Sequence, residues 1–300
     1  MPSNEMNLSW TCQELIFLGT GTSEGVPRVS CLTEYPVTCK TCKDAVLVGS
    51  KNRRRNCSLL LRAKDATTGN EAHIVIDVGK FFYESALEWF PKYQLRNIDA
   101  VLLTHDHADH VNGLDDLRDF TLHMRDNCCP LPVYCDDQTF RRIQASFPYL
   151  VDPSQGTGSG VVAKLAFYPI DHHKEFQVHG INFIPLPVWH GPHNGALGFR
   201  FGSISYIPDV SAIPEATLEK MKGSEYLIID SLFPGKERKH ISHFCEAQAL
   251  DVAKQIQPKY LYLTDFTHLW FHEWDEQRLR EEYQESFDIY MAHDGLRIAL

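Results

Sequence analysis

Two periodicities divide the chain. Alternating or uninterrupted apolar runs predict strands at 14–18, 57–61, 73–78, 98–104 and 132–135, and again at 226–230, 260–264 and 296–300. Between 167 and 207 the pattern is one of short strands punctuated by Gly and Pro. The pair 57–61 and 73–78, joined across Thr67-Thr68-Gly69-Asn70, predicts a hairpin. Apolar residues at helical spacing predict helices at 81–90, stopped by Pro91, and at 111–125, 138–147, 214–222, 245–255 and 274–286. Strands early and late with helices between them predict a layered α/β fold on one core, residues 1–300 forming a single domain. The Gly- and Ser-rich stretch 153–160 is the best candidate for a flexible excursion. No internal repeat stands out, although each half of the chain could supply one sheet.

Composition excludes disorder and narrows the partners. Hydrophobic residues make up 43% of the 300, enough to fill a sizeable core, with charged residues at 23%. A net charge of −10 disfavours nucleic acid as the main partner, because a long polyanion is held by Lys and Arg. No stretch approaches the roughly 18 consecutive apolar residues of a membrane span, and residues 1–10 carry no basic cluster ahead of an apolar run, so neither membrane association nor a secretory signal is expected. Nine cysteines at uneven spacing fit a reducing, cytoplasmic setting in which thiols stay free or bind metal. Fifteen histidines raise the question of whether they cluster.

They do. His105-Asp106-His107-Ala108-Asp109-His110 directly follows the strand predicted at 98–104. Alternate residues of an extended segment point the same way, so His105 and His107 can hold one metal ion, while Asp109 and His110, as the chain turns into a helix, can face a second. Cys39-Lys40-Thr41-Cys42, with Cys31 upstream in a Cys-rich loop at 31–42, is an independent signal. Thiolates at this spacing suit tetrahedral zinc, redox pairing of Cys39 with Cys42 being the rival reading. Arg53-Arg54-Arg55 reads first as a solvated face, with contact to a substrate phosphate as the alternative. His193, and His272 with Trp270, Phe271 and Trp274, are candidates for lining a pocket, although aromatics at this spacing are more often core.

These motifs resemble those of the metallo-β-lactamase-fold hydrolases. The resemblance rests on Gly19-Thr20-Gly21-Thr22, Ile76-Asp77-Val78-Gly79, Leu103-Thr104 with the histidine motif, Pro187-Val188-Trp189-His190-Gly191 and Ile207-Pro208-Asp209. Within that superfamily Gly113-Leu114-Asp115-Asp116-Leu117-Arg118, Ser242-His243-Phe244 and Asp294-Gly295-Leu296-Arg297-Ile298 are similar to the phosphodiesterases that act on phosphoribosyl cyclic phosphate. The resemblance implies an αββα four-layer sandwich with the active site at one edge, between the sheets. It implies that His105, His107 and His190 bind a first metal and Asp109 and His110 a second, with Asp209 bridging. Where the family carries a histidine as last ligand of the second metal, this chain reads Leu263-Thr264-Asp265. A carboxylate there keeps a dinuclear centre and biases it toward Mn²⁺, zinc being the other option. Asp77 would order the loops without touching metal. His243 would join Asp109 as a catalytic residue, facing the substrate and donating a proton to the leaving oxygen. Cys31, Cys39, Cys42 and His268 would form a structural zinc site tying the N-terminal loop to the C-terminal end of the centre.

The expected activity is therefore metal-dependent hydrolysis of a small or cyclic phosphodiester, such as a cyclic ribose phosphate, by a metal-bridging hydroxide. The alternatives are an RNA-processing endonuclease, a thioester or lactone hydrolase, and a non-catalytic zinc protein with a decayed second site. The partner is a small molecule, and oligomeric state is open, a homodimer included.

Overall fold

A computed structural model describes residues 10–122, 129–156, 158 and 160–300. The N-terminal half contributes β1 (Trp10–Gly19), β2 (Ser58–Asp65), β3 (Glu71–Ile76), β4 (Ala100–Leu102), β5 (Leu131–Cys135) and β6 (Leu165–Pro169). The C-terminal half contributes β7 (Phe176–Val178), β8 (Ile181–Trp189), β9 (Gly195–Phe201), β10 (Ile204–Ile207), β11 (Tyr226–Asp230), β12 (Tyr260–Thr264) and β13 (Asp288–Met291). A final strand, β14 (Arg297–Ala299), returns to the first sheet beside β1. The two sheets run β14-β1-β2-β3-β4-β5-β6 and β13-β12-β11-β10-β9-β8-β7. Each consists of three antiparallel pairs followed by three parallel ones. Apart from β14, each half of the chain thus builds one sheet, a symmetry of topology that the sequence does not repeat.

The strand pattern explains the layering. Successive side chains of a strand point to opposite faces, so a run that is apolar at every position buries both. Leu15 and Phe17 of β1, Leu59 and Leu61 of β2, and Ile74 and Ile76 of β3 enter the core between the sheets with Phe183, Phe199, Phe201 and Tyr206. The intervening Ile16, Leu18, Leu60 and Val75 pack outward on Phe82, Trp89 and Phe90 of the helix Phe82–Lys92. On the far side Leu227, Ile229, Leu261 and Leu263 pack on Ala249, Leu250 and Ala253 of the helix Glu246–Ile256. Helix, sheet, sheet, helix is the expected αββα sandwich. Among the described residues no helix is long and apolar enough to cross a membrane.

Three predicted helices differ. The one expected to stop at Pro91 runs through it to Lys92. The helix expected at 111–125 starts earlier and is broken: Ala108–Val111, a 3-10 turn Leu114–Leu117, then Arg118–Leu122, with residues 123–125 outside those described. The break falls at Gly113, where a Cβ would lie 2.4 Å from the Gly79 carbonyl oxygen. The helix expected at 274–286 is His272–Tyr283, two residues being gained at the start. Of the 153–160 excursion, Pro153–Gln155 form a 3-10 turn, while Thr157, Ser159 and also Cys128 lie outside the described residues.

The parallel strands bring the chemistry together. Asp77 follows β3, the histidine motif follows β4, His190 follows β8, Asp209 follows β10, Asp230 closes β11 and Asp265 follows β12, all at one edge of the sandwich. Close backbone approach fixes the loops that carry them: a Cβ on Gly79 would sit 1.8 Å from the carbonyl oxygen of Asp109. Gly79→Ala is accordingly expected to cost about 3 kcal/mol, at the upper end of overpacking penalties. Urea denaturation of the two proteins measures it, and an unchanged midpoint would show that the loop has slack.

Candidate metal centre

The centre is built on a buried carboxylate. Asp77 is fully buried, in a left-handed backbone conformation with φ 65°, which an Asp tolerates better than most side chains. Its Oδ1 accepts the Thr104 amide at 2.8 Å, and its Oδ2 accepts the Thr104 hydroxyl at 2.8 Å and lies 2.9 Å from His110 Nδ1. The outer nitrogen of His110 is thereby committed, and Nε2 faces Asp209 Oδ2 at 2.7 Å and Asp109 Oδ2 at 3.6 Å.

Three histidines from three loops meet beside it. Ligand atoms of His105, His107 and His190 lie within 4.8 Å of one another, as do those of His105, His110 and Asp209. Asp209 is common to the second group and to the contact with His190, 3.9 Å away, where a bridging carboxylate would stand. His190 is oriented from behind, its Nδ1 2.7 Å from the Ser242 carbonyl. These five predicted residues are brought together, with Asp109 at the rim.

Asp265 takes a different place from the expected one. It does not join the His105, His110 and Asp209 group; its ligand atom lies instead with those of Asp209, Asp230 and His243. His243 Nδ1 stands 3.0 Å from Asp230 Oδ2 and 3.0 Å from Asp265 Oδ2. Only one proton is available at Nδ1, and Asp265 Oδ2 keeps no hydrogen bond. Burial works against protonation of His243, but the charges of Asp230 and Asp265 prevail and raise it to about 12. Burial and the charge of Asp209 push Asp265 up to about 6.

The donor set fits cations. His105 Nε2, Asp209 Oδ1 and Asp265 Oδ2 are buried and without hydrogen-bond partners among the described residues. Each such group costs about 1–3 kcal/mol if left unsatisfied, and buried carboxylates at this density require compensating positive charge. Imidazole and carboxylate together suit zinc and manganese.

The sulfur cluster is a second candidate. Cys31 and Cys39 Sγ stand 3.4 and 3.3 Å from His268 Nδ1, and Cys42 completes a group whose ligand atoms lie within 4.8 Å. Cys31 itself lies in the short helix Val29–Leu32, and the longer spacer to Cys39 follows that helix as bends and loop. Burial, and then the neighbouring Cys39 and Cys31 thiols, push Cys42 up to about 12.

Other sequence readings need correction. Arg54 and Arg55 are neither a solvated face nor open to a substrate. Arg54 is 1% exposed, donates to the carbonyls of Thr267 at 2.7 Å and Trp270 at 3.2 Å, and lies over the Phe266 ring. Arg55 is tied to Glu88 at 2.6 Å and Asp294 at 3.5 Å. Trp270 is core, its Nε1 donating to the Ser231 carbonyl, whereas Trp274 is exposed and His272 buried; His193 is exposed. Asp230 was not singled out from the sequence, yet it is fully buried and accepts the Val210 amide as well as facing His243. It ends the apolar strand Leu227-Ile228-Ile229 much as Asp209 follows Ile207, so the same pattern could have found it.

Comparison with known proteins agrees with this fold. The family model described as the β-lactamase superfamily domain matches residues 73–266. The chain belongs to that superfamily. Its αββα sandwich and its metal-ligand groups make it a metal-dependent hydrolase of the metallo-β-lactamase fold. A diphosphatase from the PhnP family superposes with a TM-score of 0.78 at 29% identity, covering 97% of this chain and 98% of the other. The short form of human tRNase Z superposes with a TM-score of 0.60 at 18% identity, covering 95% and 98%, which is a likeness of fold. A curated protein of Porphyromonas gingivalis (strain ATCC BAA-308 / W83) named octanoyltransferase is 30% identical over 283 residues, 94% of this chain and 50% of its own length. The hydrolase thus spans about half the length of the curated relative it matches.

The corrected arginine reading has a measurable consequence. Arg54→Leu strands several carbonyls and should destabilise the hydrolase by about 3 kcal/mol, whereas exposed Arg53→Ala should stay within about 0.5 kcal/mol of the parent. Denaturant midpoints decide it, equal shifts in both variants contradicting the structural role of Arg54.

Proposed function

We propose that the hydrolase cleaves a small or cyclic phosphodiester, with His105, His107 and His190 holding one divalent ion and Asp109, His110 and Asp209 a second, which Asp265 would complete from the adjoining group through their shared Asp209. The observation that carries the reading is the place of His243. Its ring lies 4.7 Å from that of His190, beside the ligand box, with Nδ1 held by Asp230 and Nε2 left for a substrate. Phosphodiester hydrolysis needs a proton for the departing alkoxide, and a histidine fixed at one nitrogen can deliver it from the other. A pair of ions in the box would supply an activated water and neutralise charge on the phosphoryl group. The remaining work falls to the chain: Asp77 and Ser242 orient imidazoles, Asp230 aims His243, and Asp209 lies between the two halves.

The likeness to the PhnP-family diphosphatase supports phosphate chemistry. The net charge of −10 supports a small substrate over a folded RNA. The name of the half-matched relative favours a second reading, hydrolysis of an acyl thioester, which the same ligand set could serve. Cys31, Cys39, Cys42 and His268 are assigned a structural zinc.

Elemental analysis of the purified chain is expected to find about three ions per polypeptide, one of them zinc. Asp109→Ala should abolish hydrolysis of cyclic phosphates without unfolding the chain, whereas Cys42→Ser should lower thermal stability first. His243→Ala is expected to reduce kcat about 10²–10⁴-fold, more with an alkyl leaving group than with p-nitrophenolate. Turnover of an octanoyl thioester with none of cyclic phosphates, in metal-loaded protein, would replace this reading with the second.

A further inference from the structure

His107 differs from its neighbours in what holds it. His110 is backed by Asp77 and His190 by a backbone carbonyl, whereas behind His107 stands a side-chain amide. His107 Nδ1 faces His190 Nε2 at 3.1 Å, toward the inside of the histidine box, and Nε2 faces Asn194 Nδ2 at 3.2 Å, the amide as placed turning its NH₂ to the ring. Asn194 is held in turn by Gln138, whose Nε2 donates to Asn194 Oδ1 at 2.9 Å and reaches Asp106 Oδ2 at 3.4 Å. The backbone of Asn194 does a second job. Its carbonyl accepts the His190 amide at 2.9 Å, closing the turn that presents His190. One residue therefore touches two of the three histidines, and it links the helix Asp137–Ser146, on the side of the first sheet, to the β8–β9 turn of the second.

We propose that Asn194 is the positioning residue for His107, and that it acts through its side-chain oxygen. The inference rests on the metal reading of the box. A neutral imidazole that binds a cation through one nitrogen carries its proton on the other, and that N–H needs an acceptor. With Nδ1 turned inward, the proton of His107 sits on Nε2. A side-chain amide can present either its oxygen or its NH₂ at the same point by half a turn about its last bond. Oxygen toward His107 fixes the ligating tautomer; NH₂ toward it fixes the opposite one. Gln138, itself an amide, can follow the same half-turn and keep its bond to Asn194, giving up only its long 3.4 Å contact to Asp106 Oδ2. The pair thus holds the ring with reversible amides, where His110 has a carboxylate, His190 a fixed carbonyl and His105 the Thr104 hydroxyl at 3.0 Å. Nothing in the sequence marks Asn194, because its relation to His107 exists only across the two halves of the fold.

The test uses chelator-stripped full-length protein titrated with Mn²⁺ and with Co²⁺, following heat of binding and the cobalt absorption spectrum. His107→Ala identifies the ion that depends on the histidine box. Asn194→Leu, similar in size but without an acceptor, should weaken that ion by about tenfold or more and alter its cobalt spectrum, as outer partners of ligating histidines do elsewhere. Asn194→Asp, which can only accept, should restore affinity to within about threefold of the parent. Gln138→Leu should have a smaller effect than Asn194→Leu. Parental affinity and spectrum in Asn194→Leu would overturn the assignment, and so would equal losses in the Leu and Asp variants, since a merely structural asparagine is not rescued by an acceptor. If the parent itself takes up no ion that His107→Ala removes, the metal reading of the box fails, and this assignment with it.

Discussion

One buried carboxylate sets the geometry on which the centre depends. Asp77 can accept three hydrogen bonds in a region closed to water only because β3 and β4 are parallel neighbours, which places the Thr104 amide and the His110 ring at its two oxygens. A carboxylate left unpaired in such a place would be costly, so the pairing is enforced from both sides. Once Thr104 is fixed, His105 is aimed, and once His110 is fixed, Asp209 has a partner. The second sheet repeats the device: Asp265, after the parallel strand β12, also adopts a left-handed conformation, with φ 62°. Two aspartates after parallel strands of the two mixed sheets thus serve different tasks, one pinning ligands and the other facing into the box.

Much of this was legible in the sequence, for physical reasons. Apolar runs too continuous for a half-exposed strand could only be strands buried on both faces, and that dictates layers outside the sheets. The histidine motif is contiguous, so its place after a strand is a local fact. His190, Asp209 and His268 were reached by resemblance, because nothing near them in the chain announces what they meet. Asp230 and Asn194 escaped altogether. Their partners lie on other loops, and a pattern read along one segment cannot register contacts made between segments.

Two misreadings share a cause. Three consecutive arginines in isolation look like a surface, yet in this fold the segment before β2 packs against the Thr267–Trp270 turn, whose carbonyls accept from Arg54. Arg54 is drawn in because its guanidinium carries several N–H groups in one plane and spreads over Phe266. The helix expected from residue 111 failed similarly: its periodicity is real, but the loop after β3 occupies the space that a side chain at Gly113 would need.

The return of β14 to the first sheet bears on how the fold is reached. Glu14 lies opposite Ala299, and Arg297 Nε donates to the Glu14 carboxylate at 2.6 Å. Contacts so distant along the chain demand that a very large loop be closed before they repay its entropy, and they slow folding. Until the segment around Arg297 arrives, one margin of β1 exposes unpaired amides and carbonyls, an invitation to pair with another molecule. The folding chain is therefore most vulnerable to aggregation after β1 to β6 have assembled and before β14 has closed the edge of β1.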